Sequence, residues 1–242
     1  TLLPPQPRFV KDLVIVPSGR LGIVPFETLL TDHVEKITAY SSMPYLMHRY
    51  SVRYEFSASL LFQKSGHSAL APARSILLCA PVNFPQRPHL GELPGTEEEV
   101  EKISKLFSER GLAAEAFTHS QADENLIKKE SLKNFGFVHF ATHGIVDELN
   151  PELSRIFFQP TSQDDGDLFA GEIYNLELNA NLVTLSACQT GLGKVVKGEG
   201  VIGLSRALVY AGAKNIMVSY WNVADQSTSI LMVDFYKKLL EN

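Results

Sequence analysis

Phe137-Val-His-Phe-Ala-Thr-His-Gly144 and Leu182-Val-Thr-Leu-Ser-Ala-Cys-Gln-Thr-Gly191 are apolar runs of strand length, each ending in a reactive side chain with glycine close behind. Their apolar residues do not alternate with polar ones. Such runs predict strands covered on both faces, as in the middle of a parallel sheet. His143 and Cys188 then stand at the carboxyl ends of two strands, at the rim where open α/β sheets place their sites. An imidazole and a thiol at one rim are what a cysteine nucleophile requires.

Outward from these runs the pattern alternates. Ile76–Ala80 reads as a strand, residues 81–94 as a Pro-rich loop, and Thr96-Glu-Glu-Glu99 as a capping box opening a helix with Val100, Ile103, Leu106 and Phe107 on one face. Gly111 ends that helix, residues 112–117 form a strand, 123–132 a helix, and 155–159 another strand. Asp164-Asp-Gly-Asp167 is a polar turn, 170–176 a short helix, 201–210 a helix stopped by Gly212, 215–220 a strand and 227–240 the last helix. Strand and helix in alternation imply a mostly parallel sheet with helices on both faces. Before residue 73 the reading differs. Leu13-Val-Ile-Val-Pro17 is a strand closed by Ser18-Gly-Arg20, with residues 21–26 expected to return as its hairpin partner, and residues 45–62 give one strand and a short helix. The expected division is therefore 1–72 and 73–242.

Composition narrows the function. A chain of 242 residues, 45% hydrophobic and 20% charged, can bury one large core or two modest ones. A net charge of -5 with no basic run gives no electrostatic footprint for direct nucleic-acid binding. No apolar stretch approaches the roughly 18 to 20 residues that span a bilayer, and the first residues lack signal-peptide order, so a cytoplasmic protein is expected. Cys79 and Cys188 both lie in apolar runs, which suits reduced thiols. Thr1 at the start and a helical pattern running to Asn242 suggest a piece of a longer protein.

The chemistry follows from the two rim residues. A free thiol is mostly protonated at neutral pH, so Cys188 as nucleophile needs His143 as base and later as acid. The amides of Gly144 and Cys188 are the expected oxyanion hole. Cys79, inside Leu77-Leu-Cys-Ala80, has no glycine-rich exit and reads as core. His139 and His143 stand four apart, but on a strand and without a further ligand at metal-site spacing, so neither metal nor cofactor is expected. The Gly191–Gly200 loop lacks P-loop spacing and the Ser or Thr after Lys. It reads better as a mobile loop beside the site.

Ala141-Thr-His-Gly144 and Ser186-Ala-Cys-Gln-Thr-Gly191 resemble the catalytic motifs of CHAT domains, caspase-like and separase-like cysteine peptidases. The resemblance extends in order through Leu13–Phe26, Leu93-Pro-Gly-Thr-Glu-Glu-Glu-Val100, Gly198-Glu-Gly200 and Ser219-Tyr-Trp-Asn-Val-Ala-Asp225. It implies a caspase-like three-layer α/β/α sandwich, a His143/Cys188 dyad, a protein substrate and an upstream tetratricopeptide-repeat or other sensor in a longer bacterial protein. It also implies a further apolar strand that this chain lacks at its C-terminal edge. By the same resemblance Asp225 receives a basic side chain before the cleaved bond; Ser186 is a further substrate-binding candidate, and Trp221 either walls the groove or is core. The competing role for Asp225 is to N-cap the helix beginning near Ser227. A catalytically silent scaffold of the same fold is the alternative to a peptidase, and a nucleotide-binding domain a third reading.

Overall fold

The computed structural model describes residues 9–18, 21–22, 24–36, 39–59, 61, 74–129, 132–147, 149–186, 200–219 and 223–241, with no side-chain description at 200–203. Cys188, Trp221 and positions 191–199 of the glycine-rich loop lie outside them. The chain divides into two compact units, Thr1–Ala69 and Leu70–Asn242.

In the first unit β1 (Asp12–Ile15) pairs with β2 (Ser51–Tyr54) in parallel, not with a returning hairpin strand. The reason lies in residues 21–26. Leu21 N–H bonds Ser18 O and Val24 N–H bonds Leu21 O, which are turn contacts, and Pro25 has no N–H to give a ladder. Phe26–Thr28 then forms a 3₁₀ turn, fastened where Phe26 N–H donates to the Tyr54 hydroxyl at 2.8 Å.

The second unit holds β3 (Ile76–Ala80), β4 (Ala114–Thr118), β5 (Phe137–Ala141), β6 (Gly144–Ile145), β7 (Arg155–Phe157), β8 (Asp167–Phe169), β9 (Leu182–Ser186) and β10 (Ile216–Val218). Its helices are α1 (Pro94–Ser108), α2 (Glu124–Lys129), α3 (Ala170–Ile173), α4 (Gly200–Tyr210) and α5 (Asp225–Leu239). Five strands form a parallel sheet in the order β10-β9-β5-β3-β4, while β6, β7 and β8 make a small antiparallel sheet.

Strand alternation divides the core into two faces. Ile76, Leu78 and Ala80 pack with Val100, Ile103 and Phe107 of α1 and with Met232 and Tyr236 of α5. Leu77, Cys79, Val138, Phe140, Val183 and Leu185 pack on the other side against Ile127 of α2, Ile173 of α3 and Leu204, Ala207 and Leu208 of α4. A parallel sheet between helical layers is the expected caspase-like α/β architecture. Among the described residues no helix is long and apolar enough to cross a membrane.

The entry of α1 departs from the capping-box expectation. The helix begins three residues before the Glu97 start that a Thr96 cap implies, at Pro94, whose fixed φ suits a first helical position. Thr96 Oγ1 donates to Leu93 O at 2.6 Å instead of accepting from the helix, and Glu99 is buried against the sheet. Leu93, the N-cap residue, offers no side-chain acceptor.

Gly212, after α4, has φ +114°, and a Cβ there would fall 2.1 Å from Leu178 O. Backbone strain and collision with a carbonyl act together, so Gly212→Ala should cost about 3 kcal/mol or more. Urea unfolding of both proteins checks this, the expected result being a lower midpoint at unchanged slope.

Candidate active site

Strand β5 ends at Ala141, but pairing continues one residue further through Thr142 N–H to Ser186 O at 3.1 Å. The chain then leaves the parallel sheet for the small one. Thr142 Oγ1 donates to Phe157 O at 2.6 Å and Phe157 N–H to His143 O at 3.0 Å. His143 is thereby held from both sides along its backbone. Because the Phe157–His143 bond flanks the pair Gly144↔Ile156, antiparallel alternation turns the Gly144 N–H away from β7.

The His143 ring is enclosed, at 0% exposure, with the Phe84 ring 5.2 Å away. Its Nε2 lies 2.6 Å from Gly91 O. A carbonyl only accepts, so Nε2 carries the proton and Nδ1 holds a bare lone pair in the neutral ring. Nδ1 is buried and has no hydrogen-bond partner among the described residues. Burial pushes the imidazole below its ordinary pKa of 6.5, partly opposed by the Gly91 carbonyl and by the charge of Asp225. The imidazole is thus neutral and oriented, with one nitrogen that meets no partner among the described residues.

Asp225 reaches the same rim from α5. Its Oδ2 accepts the Gly95 N–H at 2.6 Å, so it caps α1 from 130 residues away. It is not the N-cap of its own helix; Ala224 holds that position, without a side-chain cap. The approach depends on glycine, since a Cβ at Gly95 would lie 2.7 Å from Oδ2. Burial raises the carboxyl pKa, the Gly95 hydrogen bond lowers it, Glu99 raises it and His143 lowers it. Oδ1 is buried without a partner among the described residues.

A second buried polar chain runs beneath this rim. His139 Nε2 meets Glu99 Oε1 at 2.8 Å, Tyr236 OH lies 3.3 Å from His139 Nδ1, and Thr184 Oγ1 lies 3.0 Å from Tyr236 OH. These contacts pin α1 and α5 to β5 and β9. Burial drives the Tyr236 hydroxyl well above its usual range, so it stays protonated.

Of the residues expected from sequence, His143, Gly144 and Asp225 meet at the rim. Ser186 ends β9 next to Ala141, buried, with Oγ unpartnered among the described residues. Cys188 and Trp221 lie outside the described residues. Cys79 is fully buried and desolvation raises its thiol pKa far above the reactive range. No group of three or more metal-ligating side chains occurs among the described residues. A hollow of about 360 Å³ beside β4 and α2, lined by Phe117, Gln121, Asp123, Asn125, Leu126 and Lys129, includes none of the rim residues. The orienting Gly91 carbonyl is absent from the sequence reading because a backbone acceptor has no side-chain signature.

Known proteins give the following likenesses. A family model described as CHAT domain matches residues 1–242. Human tetratricopeptide repeat protein 28 is 28% identical over 275 residues, covering 95% of this chain and 10% of its own length. The mouse protein of the same description is 27% identical over 274 residues, with 95% and 11% coverage. This chain therefore spans about a tenth of the length of those relatives. A solved flavodoxin from Streptococcus pneumonia TIGR4 superposes at TM-score 0.37 with 14% identity, over 69% of this chain and 97% of its own.

The depressed imidazole sets a sign for pH dependence. The folded state binds a proton at His143 less readily than the unfolded chain does, so its neutral form contributes stability above pH 6.5 that is lost as pH falls. His143→Gln should remove that part of the acid-side loss. Comparing unfolding free energies of the two proteins from pH 7.5 down to about 4.5 checks this, and the variant's slope below about 6.5 should be the flatter.

Proposed function

We propose, from the premise that the chain belongs to the caspase-like CHAT domain family, that it is a cysteine endopeptidase in which His143 and Cys188 form the catalytic dyad. The observation that carries this reading is the His143 imidazole, fixed through Nε2 and left with a buried, unpartnered Nδ1. The strand register supports the partner. Its last pair is Ala141↔Ser186, and His143 and Cys188 each follow that pair by two residues.

In this mechanism Nδ1 takes the Cys188 thiol proton and the thiolate adds to the scissile carbonyl. The developing oxyanion accepts from the amides of Gly144 and Cys188. Collapse breaks the C–N bond, and the His143 imidazolium returns its proton to the leaving amine. Water, deprotonated by the neutral imidazole, then hydrolyses the thioester and regenerates the thiol. Asp225 favours the transient imidazolium by charge. Its unpartnered Oδ1 supports the further reading that it receives a basic side chain before the cleaved bond, with Trp221 and Ser186 beside it.

The substrate in this reading is a protein, and a repeat region of the kind named in the relatives supplies the regulation. Enclosure of His143 fits an enzyme that must be opened before it works. The same enclosure favours the second reading, a silent scaffold. Reaction with an electrophilic peptide separates the two, since a scaffold leaves Cys188 unlabelled.

Cys188→Ala and His143→Ala should each lower peptide cleavage by about 10⁴-fold or more, because members of one catalytic unit fail together. Cys79→Ala should retain activity while losing roughly 1 kcal/mol of stability. Asp225→Ala should depress cleavage after Arg by about a hundredfold or more, as expected when one partner of a desolvated ion pair is removed. A peptide library profiled with all four variants checks these outcomes, and wild-type rates in Cys188→Ala would end the peptidase reading.

A further inference from the structure

The Gly91 carbonyl that orients His143 belongs to the loop between β3 and α1, which is tied back on itself where Leu93 N–H bonds Val82 O at 2.7 Å and is held further on two sides. On one side Arg87 fixes the loop to the β7–β8 turn, pairing with Asp167 at 2.5 Å and donating to Asp165 O at 2.6 Å and Gly166 O at 3.3 Å. Phe84, Leu90 and Leu93 add packing against Phe157. On the other side Gly91 is joined through Glu92, Leu93 and the rigid Pro94 to Gly95, leaving little slack. Gly95 is the point held by Asp225.

No local side chain does that work. The Leu93 side chain has no acceptor to offer at the N-cap, and Thr96 Oγ1 is engaged with Leu93 O, which also accepts the Thr96 N–H at 3.1 Å. The Asp225 carboxylate is the side-chain acceptor given to the first turn of α1, and the missing Cβ of Gly95 is what admits it. Both facts concern one contact between the first turns of α1 and α5.

We propose that the Asp225–Gly95 hydrogen bond is a positioning latch, which holds the 91–95 turn so that the Gly91 carbonyl keeps His143 protonated on Nε2 and free on Nδ1. Asp225 is then a positioning residue for the base, in addition to any contact it makes with substrate. The inference rests on the reading of His143 as the base.

Three variants isolate the hydrogen bond from the charge. Gly95→Ala keeps the charge and displaces the carboxylate, in a helical position where alanine is otherwise favourable. Asp225→Ala removes the acceptor without adding an atom, and carries the test should Gly95→Ala not fold. Asp225→Asn keeps an acceptor oxygen and removes the charge. The readout is the His143 tautomer in the ¹⁵N-histidine-labelled 242-residue chain, measured by NMR, beside kcat and KM on a panel of peptides with different residues before the cleaved bond.

The expected result is a single Nε2–H tautomer in wild type and Asp225→Asn, and mixed tautomers in Gly95→Ala and Asp225→Ala. For peptides without a basic residue before the cleaved bond, kcat in those two variants should fall by about a hundredfold with KM little changed, as for a misplaced catalytic group. A single Nε2–H tautomer in Gly95→Ala or Asp225→Ala would overturn the latch. So would mixed tautomers in Asp225→Asn, because charge and not the hydrogen bond would then be holding the ring. The tautomer decides the latch even if no protein in the series cleaves peptide, a result that would instead count against the peptidase reading.

Discussion

A parallel sheet covered on both faces constrains everything else in the larger unit. Its strands can satisfy their backbone groups only with one another, and both sets of side chains must be apolar or internally paired. Each covering helix must run back against the strands, which brings helix N-termini to the rim where the strands end. The starts of α1 and α5 meet there. At that meeting Asp225 of one helix accepts the Gly95 N–H of the other, and the turn leading into α1 lays a carbonyl on His143.

Placing ionisable groups in so dry a region has a cost, and each is offset in a particular way. His143 stays neutral because burial outweighs the nearby Asp225 charge. Asp225 is offset by the hydrogen bond it accepts from the α1 amide of Gly95. Glu99 and His139 offset each other, and Tyr236 extends that pair to Thr184. Removing one member of a buried pair leaves its partner uncompensated, so these residues behave as sets. Hydrogen bonds therefore fix both histidine rings, while among the described residues Nδ1 of His143 has no partner.

The sheet was legible because buried parallel strands write themselves as continuous apolar runs, and residues 76–80, 137–141 and 182–186 do so. His143 was legible because it ends such a run before a glycine. Features built from backbone atoms or distant partners were not. Gly91 contributes only a carbonyl, and Asp225 finds Gly95 across 130 residues. Local rules misled where tertiary contacts took over. Thr96-Glu-Glu-Glu99 has capping-box spacing, yet Pro94 starts the helix and Glu99 is drawn to His139. Likewise the Leu21–Phe26 run has strand-like composition, but turn hydrogen bonds and Pro25 occupy the backbone that a hairpin would need.

The central claim is that the His143 imidazole acts on the thiol of Cys188. Its most direct measure is the pH dependence of Cys188 alkylation by iodoacetamide, compared between Cys79→Ala and Cys79→Ala/His143→Gln proteins so that a single thiol reports. If the two side chains form a pair, the thiolate in the first protein is stabilised by the imidazole, and loss of His143 shifts the midpoint of the rate profile to higher pH. Superimposable profiles would contradict the claim.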